Sequence, residues 1–169
     1  RSHKIIVSPS ELVTITGGKW TTYRKMAQDT INKIIALKKL PPASCKTTAL
    51  KIHGANGPID IANHLYIYGT DKKFIEQLYK EDSSLKELLH PRLPYTKAEV
   101  VFAVRNEMAR TLEDVLARRV RVLFLDASAA IDIAEEVAQI IGRELKKATD
   151  WEAAQVASFK VLAQQYLLK

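Results

Sequence analysis

Leu40-Pro41-Pro42 divides this chain into two unlike parts. A proline cannot donate to a helix ladder and pushes the preceding residue out of the α region, so a helix arriving at Leu40 stops there. The stretch 41–58 goes on to include Gly54, Gly57 and Pro58. It reads as a linker, with a strand expected over 47–52. Before it, residues 4–7 and 11–16 read as two short strands around Ser8-Pro9-Ser10-Glu11. Residues 20–38 then repeat Tyr23, Met26, Ala27, Thr30, Ile31, Ile34 and Ile35 at helical spacing.

After the linker the pattern is helical. Ser84…Glu87, Thr96…Glu99, Thr111…Asp114 and Thr149…Glu152 have the spacing of capping boxes or their Asp variant. They open expected helices at 84–90, 97–109, 111–123 and 150–168; others are expected over 60–68, 72–80 and 127–146. Val100, Val101, Val104 and Met108 should face a core, as should Trp151, Ala154, Phe159, Leu162 and Tyr166. Val120 to Leu125 should be buried. No fixed-period repeat is evident.

The expected fold is therefore mainly α: a C-terminal helical bundle domain over 59–169, preceded by a β-hairpin and helix over 1–40. A lone hairpin is marginal in water. Residues 1–40 thus read as the tail end of a larger α/β domain.

Composition narrows the function classes. With 169 residues, 47% hydrophobic and 27% charged, the chain can bury an ordinary core. Its single cysteine, Cys45, rules out an internal disulfide framework and fits a reducing compartment. No run reaches the ~18–20 apolar residues of a membrane span, and the charged first residues do not read as a signal peptide. The net charge of +7 raises nucleic acid or an anionic membrane as partners. The basic residues are spread out and are not interleaved with aromatics, so specific nucleic-acid binding is not expected, whereas attraction to an acidic membrane surface fits better.

The chemistry-bearing feature is the corner Gly17-Gly18-Lys19-Trp20-Thr21, where a strand gives way to a helix. Paired glycines permit positive φ and close approach of backbone to a ligand. The amides of a helix's first turn, the positive end of its dipole and the Lys19 ammonium all favour an anion or an electron-rich carbonyl. The spacing is neither a Walker loop nor Gly-x-Gly-x-x-Gly. The same residues also fit a plain tight turn with a solvated lysine and Thr21 or Thr22 as N-cap. Both readings stand at this point.

Two runs together carry a resemblance: Gly17-Gly-Lys-Trp-Thr-Thr-Tyr-Arg-Lys-Met-Ala27, and Tyr95-Thr-Lys-Ala-Glu-Val-Val-Phe-Ala-Val-Arg-Asn-Glu-Met-Ala-Arg-Thr-Leu-Glu-Asp-Val-Leu-Ala-Arg-Arg119. In order and separation, the chain resembles the C-terminal portion of aerobic, FAD-dependent glycerol-3-phosphate dehydrogenase. The dinucleotide-binding Gly-x-Gly-x-x-Gly unit and most of the FAD domain are absent from it. The resemblance implies a parent that oxidises sn-glycerol 3-phosphate to dihydroxyacetone phosphate on FAD and passes electrons to quinone. That parent would be a peripheral protein on the inner, cytoplasmic face of the cell membrane, commonly a homodimer.

By the same resemblance, Gly17, Gly18, Lys19, Trp20 and Thr21 bind the cofactor at the pyrimidine side of the flavin ring. Lys19 also stands near the substrate, and Arg1 matches a residue that binds the substrate phosphate. A frayed, solvated terminus is an equal reading of Arg1. The chain by itself is expected to be inactive, to carry no catalytic residue and to hold no FAD. Its partners would be the missing N-terminal FAD domain, which the helical domain braces, or a second copy. The competing reading is a stand-alone helical module that binds a protein or an acidic membrane or nucleic-acid surface.

Other polar residues invite plainer readings. His3, His53, His64 and His90 lack metal-ligand spacing and read as surface or packing histidines, so no metal is expected. Arg105, Glu107, Arg110, Glu113 and Asp114 read as structural or solvated ion pairs, with Arg110–Glu113 and Arg110–Asp114 at helical spacing, the other reading being a binding site or the interface role that the resemblance invites there. Arg118, Arg119 and Arg121 read as a solvated helix face, with contact to anionic lipid or a partner as the alternative.

Overall fold

The computed structural model describes residues 2–55 and 60–167. It divides into two compact units, residues 1–52 and 53–169. Helices dominate, and the described strands form one two-stranded sheet in the first unit.

In the first unit, β1 (His3–Val7) pairs antiparallel with β2 (Val13–Gly17), with Ile5 opposite Ile15 and His3 opposite Gly17. The turn between them closes through Ser8 N–H to the Leu12 carbonyl at 3.0 Å, with Glu11 left-handed at φ 62°. A 3₁₀ turn (Trp20–Thr22) leads into α1 (Tyr23–Leu37). Lys39 turns left-handed at φ 51° just before Pro41-Pro42, so the prolines do end the helix. The strand expected over 47–52 does not form. Instead Thr47 Oγ1 accepts a hydrogen bond from Arg24 Nη1 at 3.1 Å, and the segment lines a groove against α1.

No described residue of this unit is fully buried. Tyr23 and Ile31, on the expected apolar face of α1, are 59% and 55% exposed. The helix has the sequence pattern of a packed element without the packing.

The second unit has a true core. The 3₁₀ stretch His64–Asp71 leads into α2 (Lys72–Glu81). It is followed by α3 (Lys97–Asn106), α4 (Val122–Leu125), α5 (Ala127–Asp132), α6 (Ala134–Leu145) and α7 (Thr149–Gln164). Helix α3 is central: every side chain from Ala98 to Val104 is buried. It packs on α2 and α6, and α7 closes over α6. Phe102, Leu112, Leu116 and Ile141 are sealed from solvent; burying such a side chain stabilises by about 1.5–3 kcal/mol.

Local signals and structure disagree at several places. Two capping boxes form. Thr96 N–H donates to Glu99 Oε2 at 2.7 Å, and Asp114 and Thr111 exchange bonds of 3.1 and 3.0 Å. The other two do not. Ala148 is the N-cap of α7 and Thr149 lies inside it, while Asp82 rather than Ser84 caps a short 3₁₀ turn, Ser83–Lys86. The helix expected over 84–90 ends there, because Leu88 bridges Thr96 and Leu89 N–H donates to the Tyr95 carbonyl at 2.9 Å.

The expected helix 111–123 is broken. Asp114–Arg119 winds as a π turn and Arg121 is left-handed at φ 59°, so Phe124 and Leu125 turn outward, 52% and 63% exposed. Met108 is not in the core either. Helix α3 ends at Asn106, and Met108 is left-handed at φ 57° and 77% exposed. Ala154 and Tyr166 are also exposed, because α7 buries a narrower face than its periodicity implied, chiefly Phe159 and Ala163.

Candidate functional site

The corner at 17–21 has the backbone that its glycines allow. Gly17 and Gly18 both adopt positive φ, 78° and 81°. A side chain would be strained at either position. A Cβ on Gly18 would also stand 2.7 Å from Met26 Sδ, so this glycine lets the loop lie on α1. Lys19 is extended (φ −123°, ψ 149°) and precedes the 3₁₀ turn as its cap. Thr22 reaches back to it: its hydroxyl donates to the Lys19 carbonyl at 2.8 Å and accepts from the Lys19 N–H at 3.3 Å. Thr22, not Thr21, therefore ties the turn. The amides of Trp20 and Thr21 belong to the first turn, where N–H groups have no acceptor within the helix.

Charge around this corner is one-sided. Residues 1–52 hold ten Lys and Arg against two acids, Glu11 and Asp29, whereas residues 53–169 hold 16 against 17. The basic excess is thus not spread over the chain but belongs to the first unit. Both acids are engaged elsewhere. Glu11 pairs with Lys38, and Asp29 pairs with Lys25 at 2.6 Å and His3 at 3.1 Å. The hydrogen bond from Lys25 holds the Asp29 carboxyl below its usual range. Lys19 and Trp20 are exposed, Trp20 by 89%. The corner therefore offers amides and a solvent-facing ammonium without a carboxylate in the same turn, and it suits an electron-rich ring edge or an anion. Arg1, expected to bind phosphate, lies outside the described residues.

Beside α1 runs a largely apolar groove of about 500 Å³, lined by Tyr23, Ala27, Ile31, Ile35, Leu50 and Ile52. Cys45 stands at its polar edge, 3.0 Å from Thr47 Oγ1. Hydrogen bonding to Thr47, with the charge of Arg24 nearby, lowers the thiol's pKa. The sequence implied no partner for this cysteine, because Arg24 lies 21 residues away and reaches it only through the fold.

In the second unit, the charged residues singled out from sequence are mostly bonded, with other partners than spacing implied. Arg105 makes a forked pair with Glu144, at 2.6 and 2.8 Å. The Arg110 guanidinium donates to the carbonyls of Val104 and Ala109, at 3.1 and 2.8 Å, and only the backbone N–H of Arg110 reaches the Asp114 side chain, at 3.0 Å. Arg118 pairs with Glu113 and Asp114, and Arg119 with Glu107. They do not form an open binding face.

The residue that sequence reasoning undervalued is Glu99. It is completely buried, and its carboxylate accepts from Thr96, from His64 Nε2 at 3.0 Å and from Tyr68 O–H at 3.0 Å. Burial and Glu99 together push the Tyr68 phenol far above its normal range. The other histidines also have acidic neighbours: His3 with Asp29, His53 with Asp71, His90 with Asp132. Among the described residues no group of three or more His, Cys, Asp or Glu side chains could hold a metal ion.

Residues 8–156 match the C-terminal domain of alpha-glycerophosphate oxidase as a family. The chain belongs to that family. Relatives of the chain include a probable mitochondrial glycerol-3-phosphate dehydrogenase of Caenorhabditis elegans, 35% identical over 92% of the chain and 24% of the relative. The corresponding Dictyostelium discoideum protein is 37% identical over 86% and 25%. Human mitochondrial glycerol-3-phosphate dehydrogenase is 32% identical over 86% and 23%. The chain therefore spans about a quarter of the length of these relatives. No solved structure matches. Among the described residues no helix is long and apolar enough to cross a membrane.

Proposed function

We propose that this chain is the C-terminal portion of an FAD-dependent glycerol-3-phosphate dehydrogenase, a protein that oxidises sn-glycerol 3-phosphate to dihydroxyacetone phosphate and passes electrons to quinone from the surface of a membrane. One observation carries this reading: in a chain of this family, the Gly17-Gly18-Lys19 corner combines two left-handed glycines with an exposed ammonium and first-turn amides. The residues present fit one wall of a flavin site. They supply donors and positive charge, and Glu11 and Asp29 are engaged in pairs elsewhere.

When bound, FAD supplies the electron-accepting ring. The role of this chain is electrostatic: amides near residues 18–21 and Lys19 stabilise negative charge at the pyrimidine edge, where preorganised donors require no reorganisation as charge develops. The basic excess of residues 1–52 favours approach of a doubly anionic substrate. Domains follow the same reading: residues 1–40 complete the FAD-binding domain, 41–58 connect, and 59–169 form a helical domain that braces it. The chain alone lacks the adenine, ribose and pyrophosphate contacts and should neither hold FAD nor turn over substrate.

The test is to produce the longer protein and examine it for flavin absorbance and for dye reduction with glycerol 3-phosphate. A yellow protein reduced by this substrate supports the reading. A colourless protein, or a flavin remote from Lys19, ends it.

A further inference from the structure

Met108 is doubly unfavourable where it stands. A left-handed φ of 57° is strained for a bulky side chain, and 77% of this apolar residue faces water. Glycine is the unstrained choice at such a helix stop. Such an outlier, held by its surroundings, points toward a use in binding.

The turn that presents Met108 is fixed from several sides. The Glu107 and Ala109 N–H groups both donate to the Ala103 carbonyl, at 3.2 and 3.0 Å, and Ala109 is completely buried. Arg119 Nη2 donates to the Glu107 carbonyl at 2.6 Å, and Asp114 accepts from the Arg110 N–H at 3.0 Å. Two of the flanking charges are paired within the domain, Arg105 with Glu144 and Glu107 with Arg119, and the Arg110 guanidinium is hydrogen-bonded to two carbonyls. A partner covering this tip would freeze little chain, a condition that lets one inserted apolar side chain dominate binding.

The position of the tip indicates the partner. The segment leading into the second unit is clamped to residues 69–71: Thr70 N–H donates to the Gly54 carbonyl at 3.2 Å, and His53 pairs with Asp71. Tyr68, just before this clamp, stacks edge-on against Phe102 near the end of α3, at 5.5 Å between ring centroids. The charge of Asp71 is felt by Glu107, beside Met108. The tip therefore lies at the end of the helical domain where the chain comes in, beside the tether to whatever precedes it. The relatives are about four times as long as this chain.

We propose that the Asn106–Arg110 turn, with Met108 as its inserted side chain, is where the helical domain docks onto the part of the longer protein that lies outside this chain. This rests on the reading above, that the chain is one portion of a longer dehydrogenase.

Peroxide footprinting with peptide mass spectrometry tests it on the longer protein and on this chain side by side, reading oxidation of Met108 to the sulfoxide. Oxidation follows exposure, so Met108 should react in this chain and be slowed roughly tenfold in the longer protein. Equal rates in both overturn the docking. Protection that vanishes when the longer protein is diluted to monomer assigns the contact to a second copy and overturns it too. Met108→Gly should raise the melting temperature of this chain, by relieving strain, and lower that of the longer protein; a rise in both also overturns the proposal. Flavin content and dye reduction, measured on the same sample, separate the two ideas. Coloured, active protein with unprotected Met108 loses only the docking, and colourless protein with protected Met108 loses only the dehydrogenase.

Discussion

His64 Nε2 lies 3.0 Å from Oε2 of Glu99, across 35 residues of sequence, and closes the shell around a carboxylate that has no access to water. Thr96 and Tyr68 supply the other donors. A buried charge is tolerated only when its lone pairs are met, and here they are. This residue joins the 3₁₀ stretch His64–Asp71 to the start of α3.

Replacing Glu99 with Ala strands those donors inside the domain. Glu99→Ala should destabilise the second unit by about 3 kcal/mol or more. Urea unfolding followed by circular dichroism measures it, and a loss below about 1 kcal/mol would show that the network is not holding these elements together.

Asp114 and Glu107 should act in opposite directions as pH falls. Burial would lift the Asp114 carboxyl, but hydrogen bonds from Arg110 and Thr111 outweigh it and hold the group low. Its contribution is therefore present above the unfolded value of about 4 and is lost as pH falls through the folded value. For Glu107, burial raises the carboxyl, Arg119 opposes this and Asp71 adds to it. The folded chain then takes up this proton first, so lowering pH from neutral toward about 4 adds stability. Asp114→Asn should flatten the acid-side loss, and Glu107→Gln should raise stability at neutral pH. Urea midpoints across the acid range decide it; an unchanged acid slope in Asp114→Asn would remove that residue from the argument.

Two glycines should respond differently to alanine. Gly69 has φ 53° and ψ −126°, and a Cβ there would run into the Gly54 carbonyl oxygen, which accepts from Thr70. Backbone blocks backbone, so Gly69→Ala should cost about 3 kcal/mol or more. At Gly142 the three atoms nearest an added methyl all belong to the Glu152 side chain, which can swing toward solvent, and helix propensity improves. Gly142→Ala should stay within about 1 kcal/mol of the parent. Equal melting temperatures for the two variants would contradict this contrast.

In the longer protein, Lys19→Ala should lower turnover with glycerol 3-phosphate by about 10²-fold, the usual loss when one preorganised charge-stabilising donor is removed. The second unit's melting should not change. Steady-state kinetics with unaltered turnover would take Lys19 out of the site.

What was legible in the sequence is what short stretches decide. Thr96…Glu99 announced its cap because both partners lie within one helical turn. Glu99's bonds to His64 and Tyr68 were not legible, since they join residues 35 and 31 apart. Thr149…Glu152 had equally good spacing, yet Ala148 took the capping position, because where α7 begins depends on its packing against α6. Met108 continued the periodicity of Val100 and Val104, but that counts only while the helix lasts, and α3 had ended at Asn106. The corner at Gly17–Lys19 was readable in outline; that Gly18 is held against Met26 was not.

By itself, the order of residues determined where helices must stop, as at Pro41-Pro42, that the second unit would be helical, and which family's runs the chain carries. Those features depend on backbone chemistry and on neighbours a few residues away. Folding in three dimensions decided that one glutamate would be sealed inside and that a methionine would stand out in water. Burial is a sum over residues distant in sequence, so it acquires a value only once the chain has packed.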